Sequence, residues 1–250
     1  MSLLPLAGLV VVFAHSLVQS PQASQNSAIV PDVNIEYDSY DWLHRHHDVL
    51  TEQKKGNPDI VMIGDSITNF WGGLPKAGTA NGPKAWASTF KDLRVLNMGF
   101  GWDRTQNVLW RLGHGEFQGI HPKTIVLNIG TNNLVGDETA RTNTPEETAA
   151  GIAAVVKVLR GRSPESRIIV MAVFPRGFEK GNDLDARIQR LNAQLSGLSR
   201  DAKVKLLDIR TKLLQPDGTL IKEIMFDGTH PTEKGYEIWG QALREAGVVE

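Results

Sequence analysis

Asp59-Ile-Val-Met-Ile63, closed by Gly64-Asp65-Ser66, is the stretch from which the fold can be read. Its apolar residues run on without alternation, as a strand buried on both faces requires. The pattern recurs four times: Arg94-Val-Leu-Asn-Met98 ending at Gly99, Lys123-Thr-Ile-Val-Leu-Asn-Ile129 ending at Gly130, Arg167-Ile-Ile-Val-Met-Ala-Val173, and Lys203-Val-Lys-Leu-Leu-Asp-Ile209. Helical spacing precedes the first strand at residues 41–53 and separates later ones at 104–112, 145–160 and 185–199. A last helix over 232–246 closes the chain. Thr144 and Pro145 suit an N-cap and a first-turn proline. Strands alternating with helices predict βαβ units and an α/β fold, its parallel sheet covered on both faces. In such sheets ligands bind outside the carboxyl ends of the strands. The connection 70–88, rich in Gly, Ala and Trp, reads as a long loop. Trp71 and Trp86 in it would either wall the site or, more commonly, fill a satellite core.

Outward from this frame, residues 1–31 hold no Lys, Arg, Asp or Glu. The run Leu6-Ala-Gly-Leu-Val-Val-Val-Phe-Ala14 is shorter than the roughly 20 residues that span a bilayer as a helix. It fits the apolar core of a signal peptide over residues 1–24, although no Lys or Arg precedes it. The expectation is an exported protein, periplasmic or secreted, with one domain over 32–250 and no membrane span.

The whole chain has 250 residues, 27 Lys and Arg against 28 Asp and Glu, and a net charge of −1. That balance argues against a nucleic-acid partner. With no cysteine, disulfides, thiolate metal sites and a cysteine nucleophile are excluded.

Four polar blocks stand at strand exits or before the last helix. Gly64-Asp-Ser66 can aim the Ser66 hydroxyl from a strand-to-helix turn, or simply cap the helix. In Asn97-Met-Gly-Phe-Gly-Trp-Asp-Arg104 two glycines permit a sharp turn whose amides can receive a growing negative charge. A dinucleotide loop would need a third glycine where Arg104 stands. Gly130-Thr-Asn-Asn133 offers a neutral amide donor, or an ordinary polar turn. Asp227-Gly-Thr-His230 can bring a carboxylate to one nitrogen of an imidazole, leaving the other to take a proton from a serine. Alone, that block is also a common turn.

Taken in order, Gly64-Asp-Ser66 and Asp227-x-x-His230 resemble the GDSL or SGNH hydrolases. The run from Gly101 to Leu112, with His121-Pro-Lys123 and Gly130-Thr-Asn-Asn133, is similar to the catalytic subunits of platelet-activating-factor acetylhydrolase and related bacterial acetyl esterases. The resemblance implies a three-layer α/β/α, flavodoxin-like five-stranded sheet and ester hydrolysis with neither cofactor nor metal. It makes Ser66 the nucleophile, His230 the base, Asp227 its partner and Asn132 an oxyanion donor. The family's oxyanion glycine lies where this chain has Trp102, so the backbone donor is Gly101 or Trp102. The absence of G-x-S-x-G argues against an α/β-hydrolase elbow.

Two further sites compete. His44 and Asp48, four apart on the first helix, could face one metal, but a solvated or substrate-facing helix is the better reading. Arg176 could reach the rim, though a loop arginine paired with a local acid is the commoner arrangement. The favoured function is removal of short acyl groups, acetyl above all, from a carbohydrate or other small alcohol, with a small-molecule or polysaccharide ester as substrate. A lipid acetylhydrolase or arylesterase is the enzymatic alternative, and a non-catalytic glycan-binding module the alternative of another class.

Overall fold

The computed structural model describes residues 25–33, 41–136 and 140–249. The expected signal segment at 1–24 lies outside them. Five strands form one parallel sheet: β1 (Ile60–Gly64), β2 (Val95–Gly99), β3 (Thr124–Asn128), β4 (Arg167–Met171) and β5 (Val204–Leu207), in the order β2-β1-β3-β4-β5. The chain leaves β1 outward to β2, then crosses to β3 on the other side of β1. That reversal opens a crevice at the carboxyl ends. The registers Gly64↔Gly99 and Gly64↔Asn128 align the three strand ends that carry the polar blocks.

Alternation along each strand divides the core. Val61, Ile63, Leu96, Met98, Ile125 and Leu127 pack beneath α1 (Trp42–Gln53), α4 (Thr105–Gly113), α5 (Pro145–Arg162) and α6 (Asp183–Leu195). Ile60, Met62, Val95 and Val126 face α2 (Ser66–Asn69), α3 (Pro83–Phe90), α7 (Arg210–Leu213) and α8 (Glu233–Glu245). This is the three-layer α/β/α, flavodoxin-like fold that the motifs imply. Thr144 and Pro145 start α5 as expected, with Glu147 completing a capping box.

Two readings need correction and one choice is resolved. Residues 70–88 are not all loop, since α3 begins there with Pro83 in its first turn; Gly82-Pro83 reads as a breaker yet marks a start. Trp71 takes the commoner of its two readings: it fills the core, fully buried and stacked on Trp239 at 4.5 Å, with Trp86 edge-on at 5.7 Å. The fourth apolar run outlasts its strand, because Asn192 takes over the hydrogen bonds of Val173, accepting from its N–H at 2.8 Å and donating to its carbonyl at 2.9 Å. An apolar run marks burial, and here burial continues past the ladder.

Candidate active site

Ser66 follows β1 directly and opens α2. The preceding residue, Asp65, caps that helix by accepting from the Ile67 N–H at 2.9 Å. Burial, partly opposed by this hydrogen bond, raises the Asp65 pKa to about 7. The last helix brings the partner. Thr232 caps α8, and the turn before it holds His230 with its Nε2 2.8 Å from Ser66 Oγ, across 164 residues of sequence.

The Asp227 turn is tied by its own side chain. Oδ1 accepts from the N–H groups of Thr229 and His230, each at 2.9 Å, while Oδ2 lies 2.8 Å from His230 Nδ1. Gly228 makes the turn possible with φ +79°. Burial works against charge on Asp227, but the hydrogen bonds from the His230 ring and backbone outweigh it and hold the carboxyl below its ordinary range. A carboxylate there accepts from Nδ1–H and leaves Nε2 free to accept the serine proton.

Asn132 starts a single 3-10 turn after β3. Its side-chain Nδ2 donates to the Asp103 backbone carbonyl at 3.1 Å, and its backbone carbonyl accepts from Arg104 Nη1 at 2.6 Å. One N–H of that amide is therefore occupied, and the other is left over. Ser66, Gly101, Trp102, Asn132 and His230 all line one small cleft of about 80 Å³, with Phe70, Arg176 and Thr229. The sequence-derived site residues thus converge, Asp227 standing directly behind His230.

The glycine argument for the second block needs correcting. The left-handed conformation falls on Trp102, at φ +60°, and not on Gly101. Gly99 is needed for space: a Cβ there would lie 2.3 Å from the Asn69 backbone nitrogen at the end of α2. Trp102 keeps 44% of its surface exposed, at the edge of the cleft.

The commoner reading of Arg176 also fails. No carboxylate among the described residues forms an ion pair with it. Its Nε donates to Thr229 Oγ1 at 2.9 Å and its Nη1 reaches Thr131 Oγ1 at 3.5 Å. Arg176 therefore bridges the neighbours of His230 and Asn132. Phe70, whose ring lies 5.1 Å from the His230 ring, was not singled out by the sequence. An aromatic one helical turn past a serine carries no signal of its own. The histidines of α1 divide: exposed His44 faces Asp48 at 3.6 Å, while buried His46 turns inward to Glu116.

A serine, histidine and carboxylate in contact at the carboxyl rim of a parallel sheet mark a serine-hydrolase geometry, and Gly64-Asp65-Ser66-Ile67-Thr68 in place of a G-x-S-x-G elbow sets it apart from the α/β-hydrolase group. The chain belongs to the GDSL-like lipase/acylhydrolase family, whose model matches residues 62–238, and is a hydrolase of ester bonds. It is 36% identical over 217 residues to platelet-activating factor acetylhydrolase IB subunit alpha2 of Rattus norvegicus, covering 86% of this chain and 87% of that protein. Its fold is similar to that of a GDSL-like lipase from Bacteroides thetaiotaomicron, with a TM-score of 0.63, 20% identity, and coverage of 82% and 98%. An acetylxylan esterase from Geobacillus stearothermophilus, seen as a catalytic mutant, matches with a TM-score of 0.58, 18% identity, and coverage of 77% and 95%.

The expectation of export is corrected by these relatives. The acetylhydrolase IB subunits matched over most of the chain are intracellular enzymes, and that kinship points against a periplasmic or secreted protein. Among the described residues no helix is long and apolar enough to cross a membrane.

Proposed function

We propose that this chain is a serine esterase that removes short acyl groups, acetyl foremost, through an acyl-enzyme on Ser66. One observation carries the reading: Ser66 Oγ, His230 and Asp227 are joined by consecutive 2.8 Å contacts at the mouth of a cleft. Ser66 Oγ attacks the ester carbonyl while His230 Nε2 takes its proton, and Asp227 stabilises the imidazolium. The oxyanion is received by the free N–H of Asn132 and by backbone amides of Ser66 and of Trp102 or Gly101. The left-handed turn favours Trp102, because it gives that residue the backbone a glycine would have at this place. His230 then protonates the leaving alcohol, and water repeats the sequence on the acyl-enzyme.

A cleft of about 80 Å³ has room for an acetyl group. Two alcohols compete. The exposed Trp102 offers a sugar ring a stacking face, and the acetylxylan esterase shares the fold. The acetylhydrolase IB relatives favour the lipid alcohol.

Wild type and Ser66→Ala, compared on p-nitrophenyl acetate, test the enzyme. Loss of turnover with an unchanged circular dichroism spectrum supports it, and equal rates would leave a binding module. Acetate release from acetylated xylan or from platelet-activating factor then assigns the alcohol.

A further inference from the structure

Beneath the turn that carries Trp102 lies a cluster of charges for which the acyl transfer above has no direct use. Asp103, Arg111 and Glu116 are wholly buried. Arg111 Nε donates to Asp103 Oδ2 at 2.8 Å, its Nη1 donates to Glu116, and its Nη2 reaches the Met98 carbonyl at 3.3 Å. The guanidinium also lies over the Phe100 ring, 3.9 Å from its centroid. Trp42 Nε1 donates to the other Asp103 oxygen, Oδ1, at 2.7 Å. Glu116 Oε1 meets His46 Nδ1 at 2.9 Å, and His46 Nε2 meets the His114 carbonyl at 3.2 Å.

Stability does not explain this arrangement. Buried ion pairs lose in desolvation much of what they gain in attraction, and packed apolar side chains of the same volume serve as well or better. What such a cluster does supply is a fixed address for Asp103. The consequences fall on its two neighbours in the cleft. Trp102 precedes it at φ +60°, which a side chain bearing Cβ adopts only at a cost. The Asp103 carbonyl in turn accepts from Asn132 Nδ2 and orients that amide.

We propose that Trp42 and Arg111 are positioning residues for the reaction: by gripping both oxygens of Asp103 they hold the Trp102 peptide in its left-handed turn and aim the Asn132 amide. The oxyanion donors are then in place before substrate arrives, which is where their electrostatic advantage originates. This rests on the esterase reading above and adds residues that touch neither substrate nor the reacting atoms.

The test uses Trp42→Phe, which keeps an aromatic ring on Phe100 and Trp110 but removes part of the indole together with the hydrogen bond to Asp103. On p-nitrophenyl acetate kcat should fall about tenfold, with KM changed less than about twofold and the urea midpoint still that of a folded protein. In a Trp102→Gly background glycine takes the left-handed turn without penalty. There the same replacement should cost clearly less, about threefold, because only the aim of the Asn132 amide is still lost; such coupling is expected of residues acting through one element. Asp103→Asn, which retains one oxygen for Trp42 and gives up the other, should show the same loss and the same relief, and serves if Trp42→Phe does not fold. A kcat unchanged in Trp42→Phe, or a loss of equal size in both backgrounds, overturns the proposal and leaves the cluster merely structural. Inactivity of the wild type would instead strike the esterase reading itself.

Discussion

At the scale of single residues the site combines one strained backbone with two displaced carboxyls. Trp102 holds a turn that costs an L-residue about 1–2 kcal/mol, and on the proposed esterase reading the second side-chain N–H of Asn132 completes the donor set. Removing one oxyanion donor typically costs about 3–4 kcal/mol. Asn132→Ala should therefore lower kcat on p-nitrophenyl acetate on the order of 10²–10³-fold, and a loss below about tenfold would move the donor elsewhere. Asp65 makes a different prediction. Its folded pKa of about 7 lies above the ordinary carboxyl value, so between about pH 4 and pH 7 the native state binds a proton that the unfolded chain has released. Its contribution is fully present at the acid end of that window and is lost as pH rises through 7. Asp65→Asn keeps the oxygen that caps α2 and cannot ionise. Its stability relative to wild type, from urea unfolding, should therefore improve from pH 4 to pH 8 by up to about 4 kcal/mol. A flat difference across that range would show that Asp65 is not raised.

At the scale of elements, small side chains decide where α2 can stand. The end of that helix presses on Gly99 so closely that a Cβ would meet backbone rather than a movable side chain. Gly99→Ala should cost about 3 kcal/mol or more and reduce kcat as well, since α2 carries Ser66. Gly161, exposed near the end of α5 with nothing close to where a Cβ would sit, is the control. Gly161→Ala should be neutral or stabilise by about 0.5 kcal/mol, and urea midpoints with kcat for both variants check the pair. The same contrast explains what could be read in advance. Unbroken apolar runs located all five strands, and helical spacing found α1, α4, α5, α6 and α8, because burial leaves a periodic trace. The short α2 and α7 and the helix behind Gly82-Pro83 left none, being set by tertiary contacts rather than by pattern. Ser66 and Asn132 just past strands, and Asp227 and His230 before the last helix, could be picked out because polar groups of these types recur where a cleft can form, and the structure lines one cleft with Ser66, Asn132 and His230, Asp227 behind His230. The Arg176 bridge and the Asp103–Arg111 grip were not legible, because an arginine's partner lies wherever the fold delivers it.

At the scale of the whole molecule, the sheet separates two apolar layers that must form together. Trp42 packs in one, and Trp71, stacked on Trp239 and on Tyr236, in the other. Trp71→Ala should cost about 3–5 kcal/mol, yet circular dichroism and tryptophan fluorescence should still report one coincident urea transition. Two separated transitions would mean that the layers unfold independently. The apolar leader-like run at 6–14 was the reading that misled on the cell compartment, since hydrophobic length alone does not say where a protein goes. The distance along the chain between Ser66 and His230 has its own consequence during synthesis. A ribosome exposes the serine long before it has added the imidazole, so a nascent or prematurely released polypeptide carries a hydroxyl with nothing to deprotonate it. On the esterase reading, reactivity is thereby withheld until the Asp227-to-His230 turn has been made, and any product that stops short of that turn is chemically mute.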